Sequence, residues 1–246
     1  MKAFFIDVQG TLIDDKKFFP LPGAIEFINY LNKNDYPFVL ITNNTKKEDF
    51  KNYLAGLGFN FKYYLDPLMV ADRYIKGSIA PFGNEKFVEI MSKKYKVDFK
   101  NPDNVVLGIK IFPPDEIADI IEYLLNGANL IGMHKTSLYH KNNKRYPGLG
   151  AILEMLHYAT NREYKVVGKP SFEFFEAARK KINLNYDKIT IISDDLIGDL
   201  IPAAKLGMKT ALVLSGKIKS IREVNKNVDF VAENIGEYLK RKEFWI

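Results

Sequence analysis

The sequence has no cysteine, one tryptophan and three histidines in 246 residues. The missing thiols exclude disulfides, thiolate metal sites and a thiol nucleophile. His157 sits at helical spacing within "LEMLHYA" and reads as structural, so too few histidines remain for a histidine metal cluster. No apolar run approaches the ~20 residues of a membrane helix. No secretory pattern follows Met1-Lys2, and with the lack of cysteine this predicts a cytoplasmic protein without membrane partners. Long basic blocks are also lacking. Net charge is +6, but it is scattered over short groups such as Lys16-Lys17 and Lys93-Lys94, which argues for a solvated surface and against nucleic-acid binding. A mildly positive field favours anionic small molecules.

What is present is an alternation of apolar runs. "AFFIDV" reads as a fully buried strand bounded by Gly10. Ile25, Phe27, Ile28 and Leu31 recur at helical spacing after "LPG". "YPFVLITNN" is a second buried strand, and "KKEDFKNYLAGLG" a helix stopped by its glycines. The C-terminal part repeats this grammar in "EYKVVGKP", "SFEFFEAARKKI" (capped by Ser171), "KITIISDD", "DLIPAAKLG", "KTALVL", "VDFVA" and "IGEYLKRKEF". Such alternation predicts an α/β fold with a doubly wound parallel sheet and right-handed crossovers. Residues 1–75 and 164–246 read as one discontinuous core domain. Residues 76–163 read as an inserted α/β module.

In an open parallel sheet, ligands sit beyond the carboxyl ends of the strands. Asp7, Thr42-Asn43 and Asp194-Asp195 each follow a strand, and Lys169 follows the short strand "KVV". Taken singly, each is a common turn or cap; Asp194, Asp195 and Asp199, for instance, would suit a helix N-terminus. All four in this order, each at a strand end, predict a shared phosphate site. Two nearby carboxylates repel unless a cation joins them, and hard oxygen ligands favour Mg²⁺. Lys169, Thr42 and the backbone N–H groups of the loop after Asp7, which contains Gly10, are the candidate phosphate contacts.

The motifs "DVQGT", "LITNNT", "VVGKPS" and "SDDLIGD" resemble the four motifs of the haloacid dehalogenase superfamily. The fold implied is its Rossmann-like core. The long insertion resembles the NagD-like group, whose α/β cap is of the C2 type. "NGANLIGM", "YPGLGAILEMLHYAT" and "VVGKPSFEFF" are similar to the phospholysine phosphohistidine inorganic pyrophosphate phosphatase branch. The resemblance spans nearly the whole chain. It implies an Mg²⁺-dependent phosphatase acting on small phosphorylated compounds. By that likeness Asp7 attacks phosphorus, and Thr42 and Asn43 bind the phosphoryl group. Lys169 balances charge, and Asp199 orients Lys169 or a metal-bound water. Asp7, Asp194 and the backbone carbonyl of Gln9 bind the metal. Ser193 stands where the family usually has glycine. The resemblance also suggests a homodimer through the cap. Substrate contacts would come from a cap loop near "MHKTSLYHKNNKRYPG", where His134, Lys135, His140, Lys141 and Arg145 could meet an anion.

One position departs from that pattern. The family's phosphatases carry Asp two residues after the nucleophile; here it is Gln9. An amide does not titrate near neutral pH, so Gln9 can neither protonate a leaving oxygen nor deprotonate water. Three readings follow: a slow phosphatase, a catalytically silent binder of a phosphometabolite or protein, and a phosphotransferase needing an alcohol acceptor. Asp14 or Asp15 could supply the missing carboxylate; otherwise they are exposed turn acids.

Overall fold

The computed structural model describes residues 2–45, 49–141, 144–224 and 228–241. Contacts between Cα atoms divide the chain into two compact units. The larger comprises Met1–Thr42, Asp49–Leu65 and Phe175–Ile246; the smaller comprises Asn43–Glu48 and Asp66–Phe174.

In chain order the larger unit begins with β1 (Ala3–Asp7), α1 (Ala24–Lys33), β2 (Phe38–Ile41), α2 (Phe50–Gly56) and β3 (Tyr63–Leu65). The smaller unit holds α3 (Pro67–Ala71), β4 (Ile79–Phe82), α4 (Glu85–Lys94), β5 (Asn104–Leu107), α5 (Pro114–Leu125), β6 (Asn129–Gly132), β7 (Leu138–Lys141), β8 (Lys144–Pro147), α6 (Leu149–Thr160) and β9 (Tyr164–Val166). Helix α7 (Phe172–Ile182) leads back to the larger unit. There β10 (Ile189–Ser193), α8 (Ile201–Lys205), β11 (Lys209–Val213), β12 (Phe230–Ala232) and α9 (Ile235–Lys240) complete the described elements.

The large sheet runs β12-β11-β10-β1-β2-β3, with every neighbouring pair parallel. All five residues of β1 are buried, as a central strand covered on both faces requires. The order reverses between β1 and β10. That switch point is where an open α/β sheet leaves a crevice at its carboxyl edge. Registers Ile6↔Ile192 and Asp7↔Ile41 bring the ends of β10, β1 and β2 level.

Helix α1 buries Ala24, Phe27, Ile28 and Leu31, the i, i+3, i+4, i+7 stripe of an amphipathic helix. Each large apolar side chain so buried contributes about 1.5–3 kcal/mol. Phe27 meets Phe4 edge-on at 6.3 Å and Tyr238 of α9 at 5.9 Å, which fastens both helices to the sheet's core.

The smaller unit has its own parallel sheet, ordered β4-β5-β6-β9, and a two-stranded antiparallel ribbon, β7-β8. Two sequence expectations differ from this. By its position after the inserted module the segment "EYKVV" reads as part of the larger domain, yet β9 pairs with β6 through Leu130↔Tyr164 and Gly132↔Val166. Residues 66–75 and 164–174 therefore group with the smaller unit. A three-residue strand carries too little pattern to tell one parallel sheet from another. The stretch expected as a cap loop is instead largely a hairpin, with Tyr139 opposite Tyr146. Its strands are mostly polar and lack the apolar alternation that marks a half-buried strand.

Candidate active site

Asp7 is the last residue of β1 and is buried. The chain then turns sharply. Gly10 has φ +78°, a conformation that costs a Cβ-bearing residue about 1–2 kcal/mol. Its N–H donates to the Ile13 carbonyl at 2.8 Å, while Leu12 N–H donates to the Val8 carbonyl at 2.8 Å. The N–H of Gly10, expected to meet phosphate, is thus engaged inside the loop. The Thr11 hydroxyl lies 3.5 Å from Asp7 Oδ2.

Thr42 directly follows β2 and is fully buried. Its hydroxyl donates to Gln9 Oε1 at 2.7 Å. That bond fixes the carboxamide by its oxygen and turns its NH₂ group to whatever lies beyond.

β10 ends at Ser193, whose hydroxyl donates to Asp199 Oδ2 at 2.7 Å and accepts the Asp195 N–H at 3.0 Å. The serine in the usual glycine position therefore ties down Asp199, which is itself buried. Asp195 Oδ1 accepts the Gly198 N–H at 2.8 Å and caps a single π turn, Leu196–Leu200.

Asp194 is 2% exposed. Burial pushes its carboxyl well above the usual carboxylate range, and the Asp7 charge adds to this; Lys217 opposes both. Among the described residues no group of three or more His, Cys, Asp or Glu side chains forms a metal site. The donors present are two buried carboxylates and a main-chain carbonyl. Such a set suits Mg²⁺, which keeps several waters and needs few protein ligands. The mutual repulsion of Asp7 and Asp194 is what a cation between them would relieve.

Two further residues, Ser215 and Lys217, are not among those the sequence singles out. The Ser215 hydroxyl donates to the Gly10 carbonyl at 2.7 Å, and Lys217 N–H donates to Asp194 Oδ2 at 2.6 Å. The Lys217 ammonium pairs with Asp195. These residues leave the end of β11, itself a recognisable strand. The rule that located the other motifs, polar residues at a strand's carboxyl end, applies to "VLSGK" as well.

The two acids of the following turn, Asp14 and Asp15, differ. Asp14 Oδ1 accepts Lys17 N–H at 2.7 Å and Lys16 N–H at 2.9 Å, and these bonds hold its carboxyl below the usual range. It is a turn acceptor. Asp15 is exposed at the surface, and partial desolvation of its carboxyl pushes it up against the pull of Lys217, with Asp14 adding to the rise.

Asn43 and Lys169 belong to the smaller unit. They form a reciprocal pair: Lys169 N–H donates to Asn43 Oδ1 at 2.8 Å, and Asn43 Nδ2 donates to the Lys169 carbonyl at 3.3 Å. Lys169 precedes a cis proline and is buried. His134 is buried too, its Nδ1 2.8 Å from the Thr136 hydroxyl. Lys135 pairs with Glu154 at 2.8 Å and lies 5.1 Å over the Tyr164 ring. His134 is thus buried, whereas Lys135 is exposed and ion-paired. His140 and Lys141 lie on β7, but their side chains fall outside the described residues. His157 Nδ1 meets the Arg162 carbonyl at 2.9 Å beyond the end of α6, consistent with a structural role.

Two family profiles match the chain. One, haloacid dehalogenase-like hydrolase, matches residues 4–99; the other, HAD-hydrolase-like, matches residues 166–238. Ribonucleotide monophosphatase NagD of Escherichia coli is 27% identical over 237 residues, covering 92% of each chain. A phospholysine phosphohistidine inorganic pyrophosphate phosphatase of Danio rerio is 26% identical over 250 residues, covering 93% of this chain and 88% of that protein. The 4-nitrophenylphosphatase of Thermotoga maritima superposes with a TM-score of 0.80 at 23% identity, covering 98% of this chain and 97% of the other. That likeness shows the fold.

Proposed function

Since this chain belongs to the haloacid dehalogenase-like hydrolases, we propose that it is a phosphatase of small phosphorylated compounds, slow because of Gln9. The observation that carries the reading is the buried pair Asp7 and Asp194 at the sheet's switch point, with Thr42 at the end of the next strand. The names of the relatives NagD and the pyrophosphate phosphatase agree with it.

In the first step an Asp7 carboxylate oxygen attacks phosphorus and the bond from phosphorus to the leaving oxygen breaks. The leaving oxygen takes its proton from water, because Gln9 has none to give. In the second step water attacks the phosphorus of the aspartyl phosphate. The bond to Asp7 breaks, phosphate departs and the carboxylate returns. Asp7, Asp194 and the Gln9 carbonyl would hold Mg²⁺, which when bound supplies positive charge against the phosphoryl oxygens. The assignment of Lys169 and Asn43 as phosphate contacts rests on the order of motifs in the sequence.

General acid–base catalysis is worth about 10²–10⁴ in rate, and that is the expected deficit. Substrates with weakly basic leaving groups, aryl and acyl phosphates, lose least. Alkyl phosphates lose most. The test is Mg²⁺-dependent phosphate release from p-nitrophenyl phosphate and an alkyl phosphate, in wild type, Asp7→Asn and Gln9→Asp. Expected are loss in Asp7→Asn, a gain in Gln9→Asp, and a larger gain on the alkyl substrate. Equal wild-type rates on both substrates would refute the role given to Gln9.

The Thr42–Gln9 bond favours a second reading, a silent binder of a phosphometabolite. A side chain held by a neighbouring hydroxyl suits recognition better than proton transfer. That reading expects no turnover in wild type or in Gln9→Asp, although Mg²⁺ binds.

A further inference from the structure

The loop leaving β11 and the Gly10 turn both press close against Asp194. A Cβ placed on Gly216 would lie 1.9 Å from Asp194 Oδ2, and one on Gly10 would lie 2.4 Å from the same oxygen. Both distances are far inside van der Waals contact, so the lack of a side chain at two glycines from separate loops makes room for this carboxylate. The backbone completes the enclosure. Lys217 N–H donates to Oδ2 at 2.6 Å, and the Ser215 hydroxyl joins the two loops by donating to the Gly10 carbonyl at 2.7 Å. The Lys217 ammonium anchors the loop's far end on Asp195, the residue next to the enclosed one. Among the described residues no hydrogen bond reaches Asp194 Oδ1.

We propose that Ser215, Gly216 and the Lys217 N–H are positioning elements for Asp194, fixing its carboxylate by one oxygen so that the other serves a divalent cation. The inference rests on the reading of Asp194 as a metal ligand. Hydrogen-bond partners that orient a ligating carboxylate typically govern metal affinity by about 10–100-fold. Gly216 acts by its lack of a side chain, and Ser215 acts through the Gly10 turn. Neither residue needs to touch substrate.

Mn²⁺ binding to the full chain, followed by the loss of the free-ion electron paramagnetic resonance signal, tests this without turnover. Gly216→Ala is expected to weaken Mn²⁺ binding at least about tenfold. Ser215→Ala should weaken it by a smaller factor, and Ser215→Thr, which keeps the hydroxyl, should restore it. Gly56→Ala serves as the control glycine, because a Cβ there meets nothing within 4 Å. Thermal unfolding of each variant without metal separates a displaced carboxylate from a damaged fold, and Ser215→Ala carries the test should Gly216→Ala fail to fold. Asp194→Asn separates the two levels of the argument. Unchanged Mn²⁺ binding in Asp194→Asn would overturn the ligand assignment and this inference together. Loss in Asp194→Asn with wild-type affinity in folded Gly216→Ala and Ser215→Ala would overturn this inference alone.

Discussion

The hydrogen of the Thr42 hydroxyl can go to one strong acceptor at a time, and Gln9 Oε1 holds it at 2.7 Å. Thr42→Val leaves that partly buried amide oxygen without its donor, at a cost of up to about 1–3 kcal/mol. Gln9→Leu removes the acceptor. If the pair interacts as drawn, the double variant should be less destabilised than the sum of the two by about 1 kcal/mol, readable in urea unfolding. Simple additivity would mean that the bond contributes nothing. Asp14 gives a second check: as a turn acceptor, its change to Asn should leave the pH–rate profile of phosphate release unmoved. Acid stability gives a third. Arg179 first, then Tyr186, hold the Glu176 carboxyl down at about 2, against about 4.3 in an unfolded chain. A depressed carboxylate stabilises the fold above its unfolded value and loses that contribution as pH falls through its folded value. The stability gap between wild type and Glu176→Gln should therefore be full at pH 6 and close between about pH 4.3 and 2. At this scale the sequence exposed chemistry but not partners. Asp7, Thr42 and Asp194 stand at strand ends and could be read there. The bond between Gln9 and Thr42 joins positions 33 apart, and no local pattern encodes it.

Elements meet closely where glycines allow it. Gly23, at φ +80°, precedes α1, and a Cβ on it would lie 2.2 Å from the Gly236 Cα in α9. The obstacle is backbone, which cannot rotate away. Gly23→Ala should therefore destabilise the protein by about 2–4 kcal/mol, combining the left-handed backbone cost with overpacking. Gly56→Ala, with open space around it, should be neutral or stabilising by up to about 1 kcal/mol. Chemical denaturation of the two variants checks both signs. The core strands β1, β2, β10 and β11 were legible because continuous apolar runs bounded by turns mark central parallel strands. The β7-β8 hairpin was not, since Leu138–Lys141 and Lys144–Pro147 are mostly polar. Nor was the π turn at Leu196–Leu200, which depends on the Asp195 cap and the Ser193–Asp199 bond rather than on periodicity.

At the scale of the whole chain, the same parallel grammar runs through both units, so periodicity reveals the alternation but not the sheet each strand joins. Only the pairing of β9 with β6 decides that. A cation bound at Asp7 and Asp194 would change the stability of the larger unit as a whole. Two buried carboxylates at one sheet edge oppose folding unless a cation offsets them. A cation that binds only the folded chain stabilises it by RT ln(1 + [L]/Kd), about 2.7 kcal/mol at a hundred times Kd. For a chain of this size that is a rise in Tm of roughly 5–11 °C. Mg²⁺ titrated into the wild type should therefore raise Tm steadily with the logarithm of its concentration, whereas Ca²⁺, with its longer bonds and larger ligand number, should raise it less. Asp194→Asn should lose the Mg²⁺ increment while keeping its metal-free fold, because the amide removes one of the two opposed charges. A wild-type Tm indifferent to Mg²⁺ up to millimolar concentrations would leave Asp7 and Asp194 as an uncompensated pair and would argue against the phosphatase reading itself.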